Sequence, residues 1–497
     1  MWYNVRVVEK QEQIKTFVFN GWAATSEMWS RCTFRHDRIF SYLEHLSGES
    51  LKAVEREDAV ILVGFSMGGS FVQEAILKFP EKIRGVVFVS STPKMMEAKD
   101  EGWAGMSLHR RKALKLGTQM MNPGNPLPEF AEANLDAGLD FLGKSDHRAA
   151  LEEIAGKTRF PVAIFQSKRD GIVRPHNAEF LNRIFPQAPL TWVEGTDHDL
   201  PAKIPELISS AVKGVQRCAV KLPRGLIEVS NICQKNCLYC GIRRDTAKLP
   251  RYHLTEAEVL ECADEAVRRG FPAIALQAGE IESEANTVFY ENVLRKLPAG
   301  LEVTLSLGEQ TEEVYRRWKT AAGDRVLRYL LRIETSNREL YAKIHPADHS
   351  FDRRLESIRT LKRLGYVTGS GVMIGLPGQT REDLERDLDW FVEEKLDMVG
   401  MGPFVPSANT PMGSVEVGVW SEKLRLEESL WMIRETRRRM PEINIVAATA
   451  LEVLDPEGRS RGFANGANVY MPNLTPSRYR INYDLYPGKS SAVISNL

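Results

Sequence analysis

Two groups of residues in this sequence have the types and spacing to do chemistry. The first is Cys233-Gln-Lys-Asn-Cys237-Leu-Tyr-Cys240, three thiols within eight residues, with three and then two residues between them. Thiolates so placed can wrap one corner of a 4Fe–4S cubane and leave its fourth iron without a protein ligand. An open iron suits a small molecule that chelates through an amine and a carboxylate. Zinc competes for the same thiols, but its structural sites usually take four ligands and no histidine lies close in sequence. The second group begins at Gly64-Phe65-Ser66-Met67-Gly68, between an apolar run and a helical pattern. Small residues there allow a sharp turn that thrusts a serine oxygen out of a sheet. The backbone N–H of Met67 is placed to form half of an oxyanion hole, and that of Trp22, in Asn20-Gly21-Trp22, the other half. Partners of such a serine follow in the order acid, then histidine. Asp170 in Ser167-Lys-Arg-Asp-Gly and His198 in Gly195-Thr-Asp-His-Asp satisfy that order, His198 as general base and Asp170 as its orienter. Asp197 and Asp199 are neighbours of His198 in a loop and so poorly placed to reach its ring.

The chain that must position these groups has 497 residues, too many for one ordinary core, so two domains are expected. Lys plus Arg equals Asp plus Glu at 66 each, which leaves no net field to draw nucleic acid or an anionic membrane. The basic run Arg437-Arg438-Arg439 reads as the solvated face of a helix. The start of the chain lacks the features of a signal peptide, and no stretch approaches the ~18 apolar residues of a membrane span. The expected location is the cytosol, where six cysteines would not form a disulfide framework.

Apolar runs at 16–19, 59–63, 86–89, 162–165 and 190–193 read as buried parallel strands, with helical patterns such as 71–79 between them. Residues 95–155 interrupt the series and read as an inserted lid. The second part repeats strand then helix more regularly. Its strands are expected to begin near Leu226, Ala273, Val303, Val326, Gly371, Met398, Ile445 and Ala467. Thr255-Glu256-Ala257-Glu258 is a capping box opening one intervening helix, and Gly270 is placed to end it. Eight such units predict a closed (βα)8 barrel. The expected domains are 1–213 and 225–497, joined by a short basic linker at 214–224.

The second part resembles the radical-SAM superfamily from about 226 to 487, most of all the FeFe-hydrogenase maturases of the HydE type, relatives of biotin synthase and methylornithine synthase. The likeness rests on Ser-Asn-Ile-Cys-Gln-Lys-Asn-Cys-Leu-Tyr-Cys-Gly-Ile-Arg-Arg-Asp (230–245), Leu-Gln-Ala-Gly-Glu (276–280) and Thr-Leu-Ser-Leu-Gly-Glu (304–309). It continues through Leu-Arg-Ile-Glu-Thr-Ser (331–336), Gly-Leu-Pro-Gly-Gln-Thr (375–380), Met-Gly-Pro-Phe-Val-Pro (401–406) and Met-Pro-Asn-Leu-Thr-Pro (471–476). The resemblance implies a 4Fe–4S cluster on Cys233, Cys237 and Cys240, with S-adenosylmethionine as cofactor. It further implies cofactor contacts from Tyr239, Gly279, Glu280, Arg332, Glu334 and Arg354. Glu334 suits the ribose hydroxyls or amine, and Arg332 or Arg354 the carboxylate. The bland reading of these charges is an interior layer of salt bridges. Two departures stand out: Ile281 follows Gly-Glu where the maturases usually carry an acid, and Cys32, Cys218 and Cys262 offer no ligand set for a second cluster.

Over about 15–213 the chain resembles the α/β-hydrolases. The Asn-Gly-Trp and Gly-Phe-Ser-Met-Gly-Gly combination is similar to pimeloyl-carrier-protein methyl ester esterases. The domain is short for that fold, so an early strand is open to question. The resemblances imply small-molecule substrates, a carrier-protein-bound acyl ester for the hydrolase, and an electron donor such as flavodoxin or ferredoxin. Two functions follow: a HydE-like enzyme acting on a sulfur- or metal-containing small molecule, or a biotin-pathway fusion. A hydrolase half serving only as a docking module is a third, which an intact Ser66, Asp170 and His198 disfavours.

Overall fold

The computed structural model describes residues 14–94, 115–120, 122, 124–195, 197–246, 249–415 and 418–489. The N-terminal residues read for a targeting signal, and 95–114, 121 and 123 of the expected lid, lie outside the described residues. The chain divides into two compact units that part between Val220 and Lys221, with the short segment Phe463–Gly466 grouped with the first. Residues 214–219 belong to the helix Pro205–Ala219 and 222–224 to the strand that opens the second unit, so the stretch expected as a linker is structured for most of its length. Pro223 is tolerated there because it sits at the start of its strand.

In the first unit six strands form one sheet: β1 (Lys15–Phe19), β2 (Arg38–Phe40), β3 (Val60–Phe65), β4 (Ile83–Val89), β5 (Val162–Ser167) and β6 (Leu190–Val193). Their order is β2-β1-β3-β4-β5-β6, with every pair parallel. The runs are apolar throughout because both faces are buried. Phe17, Phe19, Leu62 and Phe88 enter one core cluster, and their neighbours Val18, Val63 and Val87 enter another. β2 escaped the sequence reading because three residues are too few to display a period.

The second unit contains β7 (Leu222–Ser230), β8 (Ala273–Ala278), β9 (Glu302–Ser306), β10 (Leu327–Leu330), β11 (Val367–Ser370), β12 (Met373–Ile374), β13 (Met398–Pro403), β14 (Asn444–Ala447) and β15 (Val469–Tyr470). β7 pairs with β8 on one side and β15 on the other, and β11 pairs with β13, so the parallel sheet closes on itself. β11 and β12 are two pieces of one barrel position, which makes eight. The fifth strand starts at Val367, earlier than expected, and breaks at Gly371. A Cβ on Gly371 would lie 1.7 Å from the Gly400 carbonyl oxygen, so only glycine lets the two backbones approach.

The capping box at Thr255 and Glu258 is present, and Gly270 follows the helix Glu256–Arg268 with φ +71°. Arg437 corrects the reading of the basic run: it is buried at the end of the helix Glu422–Arg439, where it donates to the Pro441 carbonyl and to Asn468. Arginine at a helix C-terminus complements the helix dipole and the last free carbonyls.

Candidate active sites

In the first unit, β3 runs into the helix Met67–Lys78 through a single residue, Ser66, with φ +54° and ψ −120°. That strained turn is held by glycines with no room for a side chain. A Cβ on Gly68 would lie 2.0 Å from the Phe19 carbonyl oxygen, and one on Gly64 would lie 2.8 Å from Gly69. Ser66 Oγ lies 2.8 Å from His198 Nε2, and His198 Nδ1 lies 2.8 Å from Asp170 Oδ2. A carboxylate only accepts, so Nδ1 carries the proton and Nε2 accepts from the serine hydroxyl. Asp170 Oδ1 also accepts the backbone N–H groups of Ile172 and Val173 at 2.9 and 2.8 Å. Burial pulls the Asp170 pKa up, but the His198 bond and these N–H groups outweigh it and hold the carboxyl below its usual range. Asp197 and Asp199 are exposed and are not partners of the ring. Among the described residues, neither the Trp22 nor the Met67 backbone N–H donates to a backbone acceptor in a turn, loop or cap.

In the second unit, Cys233, Cys237 and Cys240 follow β7 and line one cavity of about 310 Å3. The loop is seated at several points. Leu238 and Tyr239 pack on a small core of Leu340, Ile344, Leu376, Phe404 and Met412. Leu238 N–H donates to the Ile344 carbonyl at 3.0 Å, and Gly241 N–H to that of Leu485 at 3.0 Å. Gly279 accounts for the close approach of β8. A Cβ there would lie 2.2 Å from the Ile232 carbonyl oxygen and 2.7 Å from Cys233 Cβ. This glycine is therefore required by the cysteine loop, whatever it offers a ligand.

Tyr239, Gly279, Glu280, Arg332, Glu334 and Arg354 line the same cavity, whereas Gly375–Gly378 do not. Gly375 instead packs on the Arg425 stem. β10 ends at Leu330, before Arg332, and Glu334 has φ +64°, so alternation along a strand does not orient this pair. They meet all the same. Arg332 donates to Glu334 from Nε at 2.9 Å and from Nη2 at 2.8 Å, and to the carbonyls of Gly400 and Val372 at 2.7 and 2.9 Å. A left-handed glutamate is sparsely populated, and such residues concentrate where a site dictates the backbone. Arg354 is held by Glu309 at 2.5 Å, by the Arg332 carbonyl at 2.7 Å and by His349.

Glu280 differs from these. Its Oε2 accepts the Glu309 N–H at 2.8 Å, but its buried Oε1 has no hydrogen-bond partner, with Lys235 Nζ standing off at 3.6 Å. Burial pushes this carboxyl above the usual range despite Arg354 nearby. Burial also raises all three thiols, Cys237 to about 12, so they release their protons only to a cation that compensates the charge. Three thiols lining one cavity with Glu280, whose buried Oε1 lacks a partner, fit an iron–sulfur cluster and an ammonium-bearing cofactor.

Sequence reasoning gave no role to Glu309, His345 or His349, all buried beside this wall. Glu309 was inside a matched stretch. The two histidines are four residues apart, a spacing that could have marked them, although they stand more than a hundred residues from the cysteines. Among the described residues the other cysteines, Cys32, Cys218 and Cys262, form no disulfide. Among the described residues no helix is long and apolar enough to cross a membrane.

A model of the radical SAM superfamily matches residues 227–391, and one of the alpha/beta hydrolase fold matches 24–114. The chain is 47% identical over 266 residues to the FeFe hydrogenase maturase subunit HydE of Thermotoga maritima, covering 54% of this chain and 74% of that protein. It is 29% identical over 249 residues to the biotin synthase of Anaeromyxobacter dehalogenans, covering 49% of this chain and 66% of that protein. A solved esterase from Exiguobacterium antarcticum is 16% identical, with a TM-score of 0.31, covering 40% of this chain and 90% of that one.

Proposed function

Since the barrel of this chain belongs to the radical SAM superfamily and is a homologue of HydE, carried beside an α/β-hydrolase fold, we propose that the protein is a bifunctional enzyme whose barrel acts on a small sulfur- or metal-containing substrate and whose hydrolase half cleaves an ester. When bound, the 4Fe–4S cluster and S-adenosylmethionine of this superfamily supply a 5′-deoxyadenosyl radical after one-electron reduction. Cys233, Cys237 and Cys240 hold the cluster. Glu280 would accept from the cofactor's ammonium group, Glu334 would serve its ribose hydroxyls or amine, and Arg332 or Arg354 its carboxylate. Gly279 lets β8 lie against the cysteine loop, and Tyr239 closes the wall beside it against water. A donor of the flavodoxin or ferredoxin class provides the electron.

In the other half, Ser66 Oγ attacks an ester carbonyl and passes its proton to His198 Nε2, while Asp170 holds Nδ1–H. The Met67 and Trp22 N–H groups receive the negative charge that develops on the carbonyl oxygen. His198 then hands the proton to the departing alcohol, and water repeats the cycle to free Ser66. A carrier-protein-bound acyl ester is the proposed substrate. A biotin-pathway role for the whole chain is the second reading, favoured by the biotin synthase relatives; the scatter of Cys32, Cys218 and Cys262 weighs against a second, sulfur-donating cluster.

The observation that carries the radical reading is that three cysteines and Glu280, which keeps one buried oxygen without a hydrogen-bond partner, line one cavity. Anaerobic reconstitution should give one four-iron cluster per chain and reductive cleavage of S-adenosylmethionine to 5′-deoxyadenosine, both lost in Cys237→Ala. Tetrahedral zinc as the only metal after anaerobic purification, with no cleavage, would refute it.

A further inference from the structure

Behind the cysteine loop stand two buried histidines, His345 and His349, stacked with ring centroids 4.6 Å apart. With Cys237 they bring three donor atoms within 4.8 Å of one another, the outline of a metal site. The hydrogen bonds exclude that use. His345 Nδ1 lies 2.9 Å from the Tyr341 carbonyl oxygen, which only accepts, so Nδ1 carries the proton. Its Nε2 then accepts from the Tyr239 hydroxyl at 3.1 Å. At His349, Nε2 faces Arg354 Nη2. A guanidinium has only N–H groups to offer, so this Nε2 accepts and the single ring proton sits on Nδ1. Protonating both nitrogens would set N–H against N–H. Neither imidazole keeps a lone pair for a metal.

The protonated Nδ1 of His349 is the ring nitrogen beside Cys237, 4.0 Å from its Sγ. Arg354 cannot turn aside to release the other end of the ring. Its Nε is held by Glu309 at 2.5 Å and its Nη1 by the Arg332 carbonyl at 2.7 Å. The chain Glu309–Arg354–His349 therefore fixes the tautomer, with the ring proton on the nitrogen nearer the cysteine sulfur.

We infer that His349 is a positioning residue whose Nδ1–H donates a hydrogen bond to the Cys237 thiolate and raises the reduction potential of the cluster held there. Such a bond stabilises the sulfur's negative charge, and the reduced cluster carries more of it than the oxidised one. One electron moves, from the low-potential donor protein to the cluster, and no bond at His349 forms or breaks. The inference rests on the assignment of Cys237 as a cluster ligand.

The test compares reconstituted full-length wild type, His349→Leu and His349→Gln by iron content and by the electron paramagnetic resonance signal of the reduced cluster at set potentials. His349→Leu should keep its iron. At the wild-type midpoint its ratio of reduced to oxidised cluster should be about tenfold smaller, equivalent to about 59 mV for one electron. His349→Gln, which keeps an N–H donor, should recover part of the shift. The exchangeable-proton coupling of an imidazole Nδ1–H, seen in wild type with the imidazole ring labelled with nitrogen-15, should vanish in His349→Leu, while that of the Lys235 N–H on Cys233 Sγ remains. An unchanged midpoint in His349→Leu would overturn the inference, as would a directly bonded nitrogen in the wild-type spectrum. If His349→Leu loses its cluster, His349→Gln decides: full iron with a midpoint at or just below wild type supports the hydrogen bond, and loss of iron there too overturns it. Wild type that takes up no cluster would fail the cluster assignment itself, a distinct result.

Discussion

Adding one methyl group at Gly279 should prevent cluster assembly while leaving the barrel folded. A Cβ at this position would sit 2.2 Å from the Ile232 carbonyl oxygen, 2.8 Å from its carbon and 2.7 Å from Cys233 Cβ. Ordinary contact begins at 3.4 Å, so the cysteine loop must retreat by 1.2 Å (3.4 − 2.2) or β8 must move outward by as much. β8 is the less mobile partner, since it is laddered to β7 and β9 along its length and Gly279 N–H donates to the Ser230 carbonyl at 3.0 Å. The loop therefore gives way. Metal–ligand distances tolerate about 0.2 Å, so a displacement several times larger at Cys233 removes one of three ligands from reach. The stability lost to overpacking should be about 1–3 kcal/mol, which a barrel of this size survives. The assay is iron and sulfide per chain after anaerobic reconstitution, with circular dichroism to confirm the fold. Gly171→Ala, whose Cβ meets nothing within 4 Å, is the control. Full iron content and wild-type cofactor cleavage in Gly279→Ala would refute the argument that this glycine exists to admit the cysteine loop.

Three further outcomes are expected. Ser66→Ala should lose ester hydrolysis by several orders of magnitude, because the three residues act as a unit, and should leave cofactor cleavage unchanged; esterase activity equal to wild type would remove the nucleophile assignment. Glu334→Gln should keep its iron but bind S-adenosylmethionine about ten- to a hundredfold more weakly, the equivalent of one charge-assisted hydrogen bond of about 1.5–3 kcal/mol. Loss of the cluster, or unchanged affinity, would make the Arg332–Glu334 pair a purely structural salt bridge. Asp387, on the helix Arg381–Glu393, accepts both the N–H and the hydroxyl of Ser336 at 2.6 Å, while its Oδ2 has no partner. Burial pushes this carboxyl up to about 7. The folded state then retains a proton that the unfolded chain has released, so stability falls as pH rises from about 4 to about 7 and stays lower above that. Asp387→Asn should remove that decline, gaining up to a few kcal/mol on wild type between pH 5 and pH 8 in urea melts of the barrel; parallel pH profiles would count against a buried neutral carboxyl.

Features that depend on neighbours along the chain are legible in the sequence. The cysteine triplet, the turn at Ser66 and the capping box at Thr255 are local arrangements, written in spacings of a few residues. The sheet and the barrel were legible because strands buried on both faces are apolar throughout and helices between them repeat. The acid-then-histidine order pointed to Asp170 and His198 because the loops that carry them follow recognisable strands. Tertiary structure alone decided the rest. That Arg332 is bound up with Glu334, and Arg354 with Glu309 and His349, depends on where β10 ends and on a left-handed backbone at Glu334, neither of which has a sequence period. The break at Gly371 comes from the approach of Gly400, on a neighbouring strand. His349 lies 112 residues from Cys237, and no spacing rule connects residues that only barrel closure brings together. A periodic pattern reports which face of an element is buried. It carries nothing about which polar groups on different elements will share that interior, because their pairing is settled by the register and curvature of the closed sheet.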